Sequence, residues 1–290
     1  MKIALICPFN NKLSISYSLK VIKHLSFLNV EIYIHEELLK NIKISKLPKK
    51  YFSFKKLNSK IDFLFSIGGD GSILQSVTLV KDTNIPILGI NTGKLGFLTN
   101  LQKESIELGL KQLLDSKYSI IKRSLLEVNS PNLEKNFFKF NFALNEISVS
   151  RKNTTSLISI STHLNNVHLT TFWADGLIIS TPTGSTGYSL SSGGPIMTPE
   201  SSSFVLTPIA PHNLNIRPLI INDNTTIKIS VSGRGDKHLI SLDSRNFSLS
   251  CNTEIILKKA PFTISTVQLY NNSFLNTLRE KLFWGLDTRN

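Results

Sequence analysis

Hydrophobic and polar positions alternate in two different ways along this chain. In the first hundred residues, short apolar runs are separated by segments with helical spacing. Ile3-Ala4-Leu5-Ile6-Cys7 is continuously apolar, as expected of a strand covered on both faces. Leu19, Ile22, His24, Leu25 and Leu28 then recur at helical intervals within Ser14 to Leu28. Val30 to Ile34 alternates as a strand does, Ile61 to Ile67 is a second buried-strand pattern, and Ile85 to Ile90 is a third, with Pro86 near its start where a missing N–H is tolerated. Strands alternating with helices in this way predict an α/β unit built on a parallel sheet.

After a helical stretch around Lys103 to Leu114 the pattern changes. Short β-type runs follow one another from about Tyr118 to Gln268: Leu125–Val128, Phe137–Phe142, Leu157–Thr162, Val167–Thr171, Leu177–Ser180, Ile227–Val231, Leu239–Leu242 and Ile255–Leu257. They predict an all-β C-terminal domain. A last helix is expected from Ser273 to Phe283, with Ser273 at its start, an apolar face of Phe274, Leu275, Leu278, Leu282 and Phe283, and Gly285 beyond. The expected fold is therefore an α/β N-terminal domain with a parallel sheet (1–115), a β-rich domain (116–270) and a C-terminal helix (271–290) packing back on the first domain.

Composition adds limits. Of the 290 residues, 41% are hydrophobic and 18% charged, ordinary for a folded globular chain. Cys7 and Cys251 stand far apart and outside any Cys-x-x-Cys pair, so neither a disulfide framework nor a zinc site is indicated, and a cytoplasmic location is expected. No apolar run is long enough to span a membrane. The net charge of +13 favours anionic partners. The lysines between Lys40 and Lys56 lack interleaved stacking aromatics and read as solvated surface, so no nucleic acid and no membrane is expected as a partner. Phe137, Phe138, Phe140 and Phe142 could stack on bases, but their alternation favours a core strand.

Candidate chemistry begins at Gly68-Gly69-Asp70-Gly71-Ser72, which joins the Ile61–Ile67 strand to a helix with Ile73, Leu74, Val77 and Leu79 on one face. Glycines let the backbone approach an anion, and a helix N-terminus presents free N–H groups to phosphate. Leu74 stands where a dinucleotide fingerprint needs its third glycine, and Gly89 to Leu95 lacks P-loop spacing, so neither motif is present. Asp70 beside phosphates implies a proton-transfer or cation task, or else a helix cap. The second candidate is Asp175 to Pro195, a nearly uncharged connector dense in hydroxyls and glycines, with Tyr188 as a stacking face for a base.

Together these stretches resemble the NAD kinase family, which phosphorylates the 2′-hydroxyl of the adenosine ribose of NAD. The resemblance runs through Gly68-Gly69-Asp70-Gly71, Asn91-Thr92-Gly93-Lys94-Leu95-Gly96-Phe97-Leu98, Leu144-Asn145-Glu146, the Asp175–Pro195 segment, and Pro211-His212-x-Leu214-x-x-Arg217-Pro218, in the family's order. A lone Gly-Gly-Asp-Gly is shared with lipid kinases and phosphofructokinases, whereas the Thr181–Ser189 block is highly specific. The resemblance implies that Asp70 is the general base and that Asp70, Gly71, Asn145, Glu146, Asp175, Thr186, Gly187, Tyr188, Ser189, Leu190 and Ser191 contact NAD. Ser156, Trp173 and Arg245 fall at further contact positions; Trp173 stands where bacterial relatives often carry a basic residue, and Arg245 where they often carry Gln. It also implies ATP or another phosphoryl donor, with Mg²⁺ or another divalent cation, and a homodimer or homotetramer. The six histidines are scattered with no His-Glu-x-x-His run, so no metal cage made by protein alone is expected.

Overall fold

The computed structural model describes residues 1–94, 96–99, 101–134, 137–152, 155–270 and 272–284. Leu95 and Gly285, both singled out in the sequence, lie outside the described residues. The chain divides into two compact units, Met1–Lys122 with Ile264–Asn290, and Arg123–Thr263.

In the first unit the chain runs β1 (Lys2–Ile6), α1 (Lys12–Ser26), β2 (Glu31–His35), α2 (Glu36–Leu39), β3 (Phe52–Phe54), β4 (Phe63–Gly68), α3 (Asp70–Val80), β5 (Ile87–Asn91), β6 (Leu101–Gln102), α4 (Ile106–Leu114) and β7 (Tyr118–Arg123). Asn11 caps α1 by accepting from Ser14 N at 2.8 Å, which sets its start ahead of the apolar positions. β1, β4 and β5 are buried along almost their whole length, which is why they read as continuous apolar runs. The strand order is β3-β2-β1-β4-β5, parallel throughout. The chain winds outward from β1 to β3, then returns to place β4 on the other side of β1. That reversal creates a topological switch point at the carboxyl ends of β1 and β4, where open α/β sheets bind ligands.

The second unit contains β8 (Leu126–Asn129), β9 (Phe142–Ala143), β10 (Glu146–Arg151), β11 (Ile158–Leu164), β12 (Val167–Ala174), β13 (Gly176–Ser180), α5 (Tyr188–Ser191), β14 (Ser203–Ile209), β15 (Leu219–Asn222), β16 (Ile227–Ser232), β17 (Lys237–Leu242), β18 (Arg245–Ser250) and β19 (Glu254–Lys259). They form two six-stranded sheets, β15-β14-β13-β10-β17-β18 and β12-β11-β16-β19-β8-β9. One apolar core joins their inner faces, with Ile147, Val149, Leu177 and Ile179 from the first and Ile158, Ile160, Ile229 and Leu257 from the second. Phe137–Phe140 is not the expected strand: Lys139 adopts φ 54°, the segment turns, and Phe138 packs edge-on to both Phe137 and Phe247. Only Phe142 of that run enters a strand.

The chain then returns to the first unit. β20 (Ile264–Leu269) inserts between β5 and β7, and α6 (Phe274–Leu282) follows. Ser273 caps α6 by accepting from Asn276 N at 3.1 Å, and Phe274 packs against Phe97 of the first unit. The units change after 122 and after 263, beside the expected 115 and 270, because β7 and β20 pair side by side in the first sheet.

Candidate active site

The turn between β4 and α3 lies at the switch point and is shaped by glycine. Gly68 has φ +148°, and a Cβ there would sit 2.0 Å from Ser72 Oγ, so no side chain fits. Phe9, just beyond β1, lies over Gly71, whose added Cβ would stand 3.3 Å from its ring. Ser72 Oγ is buried in the first turn of α3 with no hydrogen-bond partner among the described residues. The turn thus presents glycine backbone, a helix N-terminus and an unused hydroxyl.

Asp70 is the first residue of α3, yet its carboxylate does not cap that helix. Oδ2 accepts from Phe97 N at 2.7 Å, and Oδ1 accepts from Leu98 N at 3.0 Å, Thr99 N at 3.1 Å and Thr99 Oγ1 at 3.2 Å. Such close approach requires Gly96, where a Cβ would fall 1.9 Å from Asp70 Oδ1. Asn91, at the end of β5, holds the segment from its other side: its Nδ2 donates to Lys94 O and Thr99 Oγ1, and its Oδ1 accepts from Gly93 N. The Asn91–Leu98 block is therefore the scaffold that aims Asp70.

In the second unit the predicted residues fall into two groups. The first surrounds Asn145 and Glu146, where β10 begins and β13 ends. Asp243 accepts from Leu144 N, Asn145 N and Glu146 N at 3.1, 2.8 and 3.3 Å. From the far side Thr181 Oγ1 donates to Leu144 O at 2.6 Å and Thr181 N to Asn145 O at 2.9 Å, while a Cβ on Gly184 would meet Asn145 O at 2.1 Å. Asn145 Oδ1 and Glu146 Oε2 are buried and have no hydrogen-bond partner among the described residues. Gly187 lies beside both, its added Cβ falling 3.3 Å from Glu146 Oε2 and 3.5 Å from Asn145 Nδ2. Two unpartnered polar atoms on consecutive residues make a place for ligand hydroxyls, which both donate and accept.

Burial first, and the neighbouring Asp243 second, push the Glu146 carboxyl up to about 8, against one backbone bond from Tyr188. Burial also raises Asp243, opposed by the three N–H donors and by Arg245, whose Nη2 lies 3.7 Å away. With those donors on Asp243 and none on Glu146 Oε2, Glu146 is the member of the pair that carries the proton at neutral pH.

Thr186, Gly187, Tyr188, Ser189, Leu190 and Ser191 follow the 3-10 turn Thr183–Thr186 into α5. Tyr188 is 47% exposed, whereas Ser189 is buried with its hydroxyl 2.9 Å from Thr207 Oγ1. Arg245 is turned inward: its guanidinium donates to Phe140 O and Phe142 O and lies 5.1 Å from the Phe140 ring. The second group lies at the opposite end of β10 and β13. Asp175 precedes β13 and pairs with Arg151 Nε at 3.1 Å. Trp173 is exposed on β12 with its ring 4.6 Å from that of His212, and Ser156 is half-buried just before β11. Six residues of strand at about 3.3 Å each separate Asp175 from Thr181 by roughly 20 Å. The structure of this chain thus gathers Asn145, Glu146 and 186–191, and sets Asp175, Trp173 and Ser156 apart from them.

Known proteins decide the family. Residues 3–118 match the model of the ATP-NAD kinase N-terminal domain and residues 144–269 that of the ATP-NAD kinase C-terminal domain. The NAD kinases of Christiangramia forsetii and Flavobacterium psychrophilum are 52% and 48% identical to the chain, each over 100% of both sequences. The chain belongs to the NAD kinase family. Its reaction is phosphoryl transfer to NAD, giving NADP, with ATP and NAD as substrates. Among solved structures, an NAD kinase from Archaeoglobus fulgidus in complex with ATP has a TM-score of 0.75 at 25% identity, over 98% of this chain and 99% of that one. Yeast NADH kinase complexed with NADH has the same fold, with a TM-score of 0.85 at 24% identity over 100% of this chain and 89% of that one.

Within this NAD kinase fold, residue patterning had left Asp243, Gly96 and Thr99 without a role. Asp243 occupies the two-residue turn between β17 and β18 with φ 52°, a conformation Asp tolerates, so an Asp between two alternating runs was the available signal. Gly96 and Thr99 carry no local signal, because their role depends on a partner 26 to 29 residues earlier in the chain. No group of three or more His, Cys, Asp or Glu able to hold a metal occurs among the described residues.

Proposed function

We propose that Asp70 is the general base and aligning group of this NAD kinase, taking the proton of the adenosine ribose 2′-hydroxyl as that oxygen attacks the terminal phosphate of ATP. The observation that carries the reading is the placement of a fixed carboxylate at the β1/β4 switch point beside a glycine turn and a helix N-terminus. Oδ2 has a single short bond, to Phe97 N, and so keeps lone-pair capacity for a hydroxyl. Phosphoryl transfer asks mainly for positioning, which the four donors around Asp70 supply. The amides of the turn and the Ser72 hydroxyl suit phosphate oxygens. A divalent cation bound with ATP would offset phosphate charge. The donor set fits an ion held chiefly by the phosphates, with the Asp70 carboxylate as the protein group that would hold it.

For the acceptor, the unpartnered Asn145 Oδ1 accepts from a hydroxyl of NAD, the protonated Glu146 carboxyl donates to one through Oε2, and exposed Tyr188 offers a stacking face. Gly71, Asp175, Thr186, Gly187, Ser189, Leu190, Ser191, Ser156, Trp173 and Arg245 complete the proposed contact set, with Arg245 acting through the 140–142 backbone. Because Asp175 lies about 17 Å along the strands from the register of Glu146, five residues at about 3.3 Å each, it is assigned, together with Trp173, to the site of a neighbouring copy in a homo-oligomer. The free thiols of buried Cys7 and half-buried Cys251 support a cytoplasmic setting.

The test is NADP formation from NAD, ATP and Mg²⁺ by purified protein, followed with an NADP-specific dehydrogenase. Asp70→Asn is expected to lose about 10²–10⁴-fold in turnover while still binding NAD. An Asp70→Asn protein with near-normal turnover would remove both roles from this residue.

A further inference from the structure

The donors that fix Asp70 are themselves held by another element. Gly68, Gly69 and Gly71 flank Asp70 without side-chain walls, so its orientation comes from the N–H groups of Phe97, Leu98 and Thr99 and the Thr99 hydroxyl. Phe97 is the link outward. While its N–H donates to Asp70, its ring centroid lies 6.4 Å from that of Phe274, and Lys281 Nζ lies 4.6 Å from the same centroid. Phe274 and Lys281 are seven residues apart on α6, two helical turns, with buried Leu278 between them on the same stripe. The Ser273 cap fixes the first turn and hence where Phe274 points.

We propose that α6 is a positioning element for the reaction: Phe274 and Lys281 hold the Phe97 ring, and Phe97 in turn keeps the 97–99 donors on the Asp70 carboxylate. The inference rests on Asp70 acting in the reaction. Neither Phe274 nor Lys281 needs to touch a substrate for this role. Their effect on turnover passes through Asp70 alone, so a double-mutant cycle isolates it.

The experiment uses the full chain with Phe274→Ala and Lys281→Met, each alone and combined with Asp70→Asn, and with Lys281→Arg as the conservative partner. Amide hydrogen exchange over 97–99 and steady-state NADP formation are measured on each. Phe274→Ala is expected to speed exchange of these amides about tenfold, leaving β1 and β4 amides unchanged. It should lower kcat by about 10- to 100-fold, as misplacing a reacting group does, with KM for NAD within about twofold. Lys281→Met should act in the same direction and Lys281→Arg should restore turnover, because the cation over the ring is kept. In the Asp70→Asn background the further loss should be less than about twofold. Unchanged exchange over 97–99, or the same fold-loss in both backgrounds, would overturn the proposal. If Asp70→Asn alone turns over normally, the role of Asp70 fails by that result, and the exchange measurement still decides whether α6 holds the segment.

Discussion

A methyl group on residue 96 would lie 1.9 Å from Asp70 Oδ1 and 2.5 Å from its Cγ. Gly96→Ala must therefore move either the carboxylate or the segment that binds it. The expected outcome is a folded protein whose turnover falls about 10²-fold, the scale on which a displaced reacting group is felt, checked by NADP formation beside a circular dichroism spectrum. Glu146 supplies a prediction with a sign. Its folded pKa is raised to about 8 from 4.5, so the native state keeps a proton that the unfolded chain gives up. Stability from this group is full below about 4.5 and is lost as pH rises through about 8. Between pH 6 and 8 the loss is about 2 kcal/mol, roughly 1.7 units at about 1.4 kcal/mol each because half the group still holds its proton at the midpoint. Glu146→Gln should flatten that step in urea titrations and be the more stable protein at pH 9. Of these residues, Asp70 and Glu146 stood out in the sequence through their motifs, whereas Gly96 and Thr99 gain meaning only from a carboxylate far back in the chain.

The elements that aim the site are turns fixed by acidic side chains. Asp243 holds the N–H groups of Leu144, Asn145 and Glu146 from a left-handed position. Asp243→Ala would leave three donors in that corner without their acceptor, so a loss of about 3–5 kcal/mol is expected, read as a lower urea midpoint. Asp243→Asn keeps an acceptor and tolerates the turn, so its loss should be about half as large. By removing the charge beside Glu146 it should also shift that residue's stability step to lower pH. Among the strands, continuous runs such as β1, β4 and β13 were legible because burial on both faces leaves no polar positions. β14 was not, since Pro208 inside it reads as a breaker. Pro208 pairs with Leu177 of β13 but lies beyond β15, which extends only along Ser203–Leu206, so β14 is an edge strand there and proline is tolerated. Phe137–Phe142 failed in the opposite sense: its alternation mimics a strand, but the rings pack on one another around a turn.

At the scale of the whole molecule, the chain enters its first unit twice, and six residues cannot announce this. Ile264–Leu269 reads like the β-strands before it, since a short apolar run looks alike in a parallel sheet and in a sandwich. The proposed homo-oligomer would give the remaining candidate site residues their place. β10 and β13 are antiparallel, pairing Glu146 with Ser180 at one end and Ser150 with Gly176 at the other. Asp175 therefore sits at the far end of the strands from Glu146, and a copy that lends Asp175 to its neighbour should complement a copy that lacks it. Glu146→Ala and Asp175→Ala are each expected to be nearly inactive alone. Co-expressed with distinct affinity tags and purified through both, they should form mixed oligomers in which one class of site regains both side chains. For a dimer formed at random, about a quarter of all sites would be intact before tag selection and about half of the sites in the doubly selected mixed dimer. Light scattering fixes the copy number, and NADP formation by the mixed species gives the result. Activity no higher than the mean of the two parents would place Asp175 and Glu146 in separate functions or in one chain's own site, and the assignment to a neighbouring copy would fall.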